Sequence, residues 1–176
     1  MKTSIALIGF MGTGKTVVGK LLAEKLGKEF IELDALIEKK AGKSIPEIFR
    51  QDGEIRFREL EIEVTREVAD KENAVIACGG GIVLNKINID RLKRTCAIVC
   101  LTASPAVILK RTSGDKDGRP LLAVTERVQQ IKELMKFRRP FYERSAEITV
   151  NTSRMNADSV AGKIIEILRE NESYRQ

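Results

Sequence analysis

Short unbroken apolar runs alternate along the chain with longer segments in which apolar residues return every three or four positions. Ser4–Gly9 (SIALIG), Glu29–Leu33 (EFIEL), Ala74–Ala77 (AVIA), Ala97–Leu101 (AIVCL) and Ile148–Val150 read as strands, most of them too apolar to face water on either side. Lys15–Leu26 puts Val18, Leu21, Leu22 and Leu26 on one helical face, and Gly27 follows as a C-terminal cap. Residues 34–71 read as mostly helical. Within them Ser44-Ile45-Pro46-Glu47 starts a helix, with Ser at the N-cap, Pro early and Glu three residues on. Phe57, Leu60, Val64 and Val68 then repeat at helical spacing. Amphipathic helices fill the later intervals and recur at Val160–Leu168. This alternation predicts an α/β fold, a three-layer α/β/α arrangement around a parallel five-stranded sheet. In such sheets ligands bind beyond the carboxyl ends of the strands.

The length, 176 residues, suits one domain, and no repeat, linker or low-complexity segment divides it. Composition narrows the chemistry. The chain has no histidine, which excludes histidine general bases, Ser-His-Asp and Cys-His nucleophiles and histidine-containing zinc sites. Acid–base work falls to Asp, Glu, Lys, Cys or Tyr. Cys78, Cys96 and Cys100 have no CxxC spacing and read as buried free thiols in a reducing cytoplasm. The opening apolar run is short, ends in Gly-Thr-Gly-Lys and lacks a small-residue cleavage site, so it reads as a strand rather than a signal peptide. No stretch approaches the ~20 apolar residues that span a bilayer. The net charge of +6 raises a nucleic-acid reading, carried by Arg91, Lys93, Arg94, Arg138 and Arg139. Acidic residues are interspersed throughout, however, and a mixed solvated surface with some arginines kept for an anionic small substrate fits better. A cytoplasmic monomer that binds neither membrane nor nucleic acid is expected.

Gly9-Phe10-Met11-Gly12-Thr13-Gly14-Lys15-Thr16 fits G-x-x-x-x-G-K-[ST] between a strand and a helix. Glycines let the backbone curl around a phosphate, and loop amides plus the helix N-terminus face the anion. Lys15 is placed to reach the β- and γ-phosphates, and the Thr16 hydroxyl is a natural Mg²⁺ ligand. A nucleoside triphosphate with Mg²⁺ is therefore implied. The chain is too short to add large mechanical modules, which leaves a small-molecule or nucleotide kinase.

The ordered set GFMGTGKTVVGKLLAEKLG, ELDALIE, SIPEIFRQDGEIRFRELE, ACGGGIV, RPLL and MKFRRPFYERSA resembles the shikimate kinases, within the nucleoside-monophosphate-kinase-like P-loop fold. The resemblance runs from Ile5 to about Ile167. It implies a single P-loop kinase domain, with a substrate-binding segment near 33–61 and a lid near 112–124. It implies transfer of phosphate from ATP, with Mg²⁺, to shikimate, in the pathway to chorismate and aromatic amino acids.

Residue by residue, the resemblance makes Lys15, Asp34 and Arg119 the catalytic candidates. ATP contacts fall on Gly12, Thr13, Gly14, Lys15, Thr16, Val17, Arg111, Arg119 and Arg154. Shikimate contacts fall on Asp34, Arg58, Gly80, Gly81 and Arg138, and metal contacts on Thr16 and, through water, Glu32. Asp34 follows the second strand, where a carboxylate is the available base in a chain without histidine; alternatively it caps a helix starting near Ala35. Glu32 departs from the Asp usual in relatives but keeps a hard oxygen ligand. Arg58 and Arg138 match the carboxylate-binding arginines, since guanidinium pairs bidentately and stays charged. Arg58 equally suits an ion pair with Glu54 or Glu61 in its own helix, and Arg139 competes with Arg138. Phe49 and Phe57 flank the substrate ring or fill the core. Cys78 is given no catalytic role. Gly114 and Gly118 are hinge candidates in the SGDKDGRPLL loop, from which Arg119 would reach the phosphates. Rival readings are a gluconate or nucleotide kinase of the same fold, and a nucleotide-binding regulatory module without turnover.

Overall fold

The first strand, β1 (Ser4–Gly9), is buried along its whole length because it is the centre of the sheet. It pairs in parallel with β3 (Ala74–Ala77) on one side and with β4 (Cys96–Thr102) on the other. β2 (Glu29–Glu32) completes the β3 edge and β5 (Ile148–Asn151) the β4 edge. The computed structural model describes residues 2–112, 124–171 and 174, apart from the side chains of residues 124 and 125. Among these, all five strands are parallel, in the order β2-β3-β1-β4-β5.

Helices cover both faces, as the alternation predicts. α1 (Lys15–Leu26) and α8 (Ala157–Arg169) pack Val18, Leu22, Val160, Ile164 and Leu168 against Ile5, Leu7, Val75, Val99 and Leu101. The opposite face carries Ala6, Ile8, Ile76, Ile98 and Cys100. It is covered by α2 (Leu33–Ala41), α3 (Ile45–Gln51), α4 (Gly53–Val68), α5 (Lys86–Leu92), α6 (Pro105–Thr112) and α7 (Val124–Ser145). Alternate residues of β1, β3 and β4 thus serve two separate apolar layers, whereas the edge strand β5 buries only Ile148 and Val150, both on the α1/α8 side.

The boundaries differ from the sequence pattern where pairing decides them. β2 stops at Glu32, which pairs with Ala77, the last residue of β3. Leu33 therefore begins α2 rather than ending a strand, and it remains buried there. β4 gains a residue at each end because Ser4 and Asn151 extend its two ladders. The helical stretch breaks at Gly42 and again before Gly53. The expected capping box forms, with the Ser44 N–H and hydroxyl both donating to Glu47.

Candidate active site

The phosphate-loop sequence leaves the C-terminal end of β1 and enters α1. Gly12 and Gly14 adopt φ values of 74° and 95°, a backbone that side-chain-bearing residues rarely take. The Thr13 hydroxyl donates to the Phe10 carbonyl at 2.7 Å and closes the loop from within. Lys15 lies inside the curl, its Nζ donating to Gly9 O at 2.8 Å and Phe10 O at 2.9 Å. Burial pushes the Lys15 ammonium down to about 8, opposed by the negative charge of Asp34. Thr16 donates its hydroxyl to Glu32 Oε1 at 2.7 Å. Val17, also expected at the nucleotide, is exposed on the first turn of α1.

The Thr16–Glu32 pair decides whether Mg²⁺ fits. It offers two hard oxygens beside the loop, and Mg²⁺ keeps most of its shell for water and phosphate oxygens. No cluster of three or more acidic or thiol ligands exists among the described residues, and a nucleotide-borne metal needs none.

A second group of side chains converges on the turn after β3, Gly79-Gly80-Gly81. A Cβ on Gly79 would lie 2.9 Å from Asp34 Oδ1, and one on Gly81 would lie 2.5 Å from both Arg58 Nη1 and Nη2. A Cβ on Gly80 would stand 3.5 Å from Arg138 Nη1. The turn thus lacks side chains at the places where one carboxylate and two guanidinium groups pack against it. Asp34 sits in the first turn of α2, whose N-cap position is Glu32, so the expected capping role for Asp34 is wrong. Its Oδ1 is buried with no hydrogen-bond partner among the described residues. Burial raises the Asp34 carboxyl above the ordinary aspartate value, and the Lys15 charge works against that rise.

The ion pairs open to Arg58 within its own helix both form. It pairs with Glu61 at 3.0 Å and Glu54 at 3.3 Å while its fork covers Gly81. Arg138 and Arg139 separate cleanly: Arg139 is exposed and pairs with Glu143 at 2.7 Å, whereas Arg138 faces Gly80 and Phe10. Phe57 is core, and the half-exposed Phe49 ring stacks on it at 4.7 Å.

Sequence reasoning missed three residues here. Glu61 appeared only as an ion-pair partner, yet it is buried, holds Arg58, and has an Oε1 with no partner among the described residues, 3.4 Å from the Gly79 Cβ position. Its signal was an acid within the apolar stripe Phe57, Leu60, Val64 and Val68. Thr152 is buried after β5 and bonds Thr13 O, Thr102 O and Arg111. Tyr142 donates its hydroxyl to the Gly80 carbonyl. For these two no local pattern gave a signal.

Arg111 ends α6 with its guanidinium tied to Gly12 O and Thr152, next to the phosphate loop. Arg154 is exposed, two residues beyond Thr152. Arg119, Gly114, Gly118 and the RPLL motif lie outside the described residues. All three cysteines are free and buried, and burial raises each thiol, so none is a ready nucleophile.

The family model described as shikimate kinase matches residues 11–169. The chain belongs to the shikimate kinase family. A shikimate kinase of Thermodesulfovibrio yellowstonii is 48% identical over 162 residues, 92% of each chain. One of Pelotomaculum thermopropionicum is 47% identical, covering 95% of this chain and 96% of its own. Among solved structures, shikimate kinase from Acinetobacter baumannii in complex with shikimate superposes with a TM-score of 0.89 at 39% identity, over 98% of this chain and 96% of that one. The Aquifex aeolicus enzyme gives 0.83 at 37%, covering 96% and 97%. These likenesses extend through the three-layer parallel sheet, so the P-loop kinase fold of the shikimate kinase family is the fold of this chain. No helix among the described residues is long and apolar enough to cross a membrane.

Proposed function

We infer that this chain transfers the γ-phosphoryl group of ATP, with Mg²⁺, to the 3-hydroxyl of shikimate, giving ADP and shikimate 3-phosphate. The observation that carries the reading is the convergence of Asp34, Arg58 and Arg138 on the glycine turn beside the phosphate loop. One carboxylate and two guanidinium groups suit an acceptor that bears both a carboxylate and hydroxyl groups.

In this reading Arg58 and Arg138 hold the acceptor carboxylate, and Glu61 and Glu54 hold Arg58 in turn. Asp34 accepts the hydrogen bond of the attacking hydroxyl. As the new O–P bond forms, the hydroxyl proton passes to Asp34, and the electrons of the broken β–γ bridge remain with ADP. Positioning is the larger part of the effect, because a loose transition state asks little of a base. Lys15 leaves the Gly9 and Phe10 carbonyls for phosphate oxygens, exchanging two neutral acceptors for an anion. Bound Mg²⁺ supplies charge neutralisation at the phosphates, held by Thr16 with Glu32 alongside. Gly12, Thr13, Gly14 and Val17 border the triphosphate, Arg111 and Arg154 the adenine, and Gly80 and Gly81 the acceptor. Arg119 is assigned to the transferring phosphoryl group on the RPLL resemblance alone. The protein works as a cytoplasmic monomer without nucleic acid.

Phosphorus NMR of a reaction with Mg-ATP and shikimate tests this. A phosphomonoester resonance coupled to the proton at C3 is expected. A product phosphorylated elsewhere, or ATP loss to inorganic phosphate alone, would overturn it.

A further inference from the structure

Tyr142 lies one turn beyond Arg138 on α7 and is 8% exposed. Its hydroxyl donates to the carbonyl of Gly80, the residue against which the Arg138 guanidinium also lies. All three carbonyls of the glycine turn are engaged. Gly79 O accepts from the Ile82 N–H at 3.2 Å and Gly81 O from the Leu84 N–H at 3.0 Å. Those two bonds are local, made by the turn to itself. The Tyr142 bond instead ties the turn to a helix 62 residues away in sequence.

The direction of this bond matters because no peptide bond in the described chain is cis. In a trans peptide the C=O of one residue and the N–H of the next point in opposite directions. Holding the Gly80 carbonyl toward α7 therefore turns the Gly81 N–H away from Tyr142. A glycine pair has no side chain to fix that plane itself. Burial pushes the Tyr142 hydroxyl up to about 12, so it stays a donor throughout the neutral range.

We propose that Tyr142 is a positioning residue for acceptor phosphorylation, its hydroxyl fixing the Gly80–Gly81 peptide and seating Arg138 against it. The proposal rests on the acceptor site inferred above. Turn amide and guanidinium then approach the acceptor as one unit, while the phosphate loop keeps the Thr13–Phe10 bond that closes it from within.

Tyr142→Phe removes the oxygen and keeps the ring. The expected result is a rise in the shikimate KM of about tenfold, the scale of one net hydrogen bond, with the ATP KM within about twofold and the melting temperature nearly unchanged. A second measurement does not depend on that variant folding. The chain has no Trp and only two tyrosines, so Tyr174→Phe leaves Tyr142 as the sole tyrosine. The Tyr174 hydroxyl is buried with no hydrogen-bond partner among the described residues, and its removal is expected to leave the fold intact. Shikimate added without nucleotide to this variant is expected to change tyrosine fluorescence saturably. Equal rises in both KM values, an unchanged shikimate KM, or a silent fluorescence titration would each overturn the proposal and leave the kinase reading standing. Absence of any shikimate-dependent turnover in the unsubstituted protein would overturn both together.

Discussion

The Arg58 guanidinium lies across Gly81, with both terminal nitrogens 2.5 Å from the point a Cβ would occupy. Gly81 itself has φ −96°, which any residue adopts. Glycine here leaves room for the guanidinium, and backbone strain plays no part. Gly81→Ala is predicted to displace Arg58, raise the shikimate KM by about tenfold or more, and lower the melting temperature less than Arg58→Ala does, because the displaced guanidinium is still in the protein. Steady-state kinetics with each substrate varied in turn will separate this from a general loss of activity.

Arg58 also neutralises a buried acid. Its partner Glu61 is 2% exposed, and burial raises the Glu61 carboxyl while Arg58 lowers it. Arg58→Ala should abolish most acceptor affinity and destabilise the fold, because Glu61 is left buried and unpaired. Adding Glu61→Gln should recover melting temperature without recovering acceptor binding. The pH sign follows from the raised carboxyl. The folded state of Arg58→Ala binds the Glu61 proton more tightly than the unfolded state, so stability is present at low pH and lost as pH rises through the folded value. Melting curves should show the variant's deficit shrinking from pH 7 toward pH 5.

Lys15 is held near 8 by burial in the nucleotide-free protein. Its charge is present below that value and lost above it. ATP affinity, measured by calorimetry without acceptor, should weaken as pH rises through about 8. In Lys15→Arg this limb should vanish, since guanidinium stays charged. Asp34 gives the opposite limb: its raised carboxyl must ionise, so kcat/KM for shikimate should fall on acidification, and Asp34→Asn should remove both the limb and most of the rate.

Glu32 reaches Thr16 directly, at 2.7 Å. Glu32→Ala should weaken binding of Mn²⁺ in the presence of ADP, read by electron paramagnetic resonance, by roughly tenfold, the effect of losing an oriented outer ligand. Glu32→Asp should recover much of it, because the oxygen type is kept.

Much of this molecule is legible in its sequence for local reasons. Strand-forming runs such as SIALIG are buried on both faces, so they carry no ambiguity of register with solvent. The phosphate loop is contiguous, so eight residues specify it. Asp34, Arg58 and Arg138 come from α2, α4 and α7, and the sequence alone gave no reason for them to meet; the family resemblance supplied that. The glycine turn accounts for part of it physically: a Cβ at Gly79 or Gly81 would run into Asp34 or Arg58, and one at Gly80 would touch Arg138 at ordinary contact distance. What stayed hidden is long-range pairing. Leu33 left its strand because β3 ended opposite Glu32. Tyr142 and Thr152 act through bonds to Gly80 and Thr13, residues 62 and 139 positions away. Glu61 was visible in principle as an acid on an apolar stripe.

Coupled ADP release with Mg-ATP, comparing shikimate, gluconate, AMP and no acceptor, tests the central claim most directly. The account predicts stimulation by shikimate alone, lost in Arg58→Ala and retained in Arg139→Ala. Equal stimulation by gluconate or AMP, or ATP binding without stimulation by any acceptor, would contradict it.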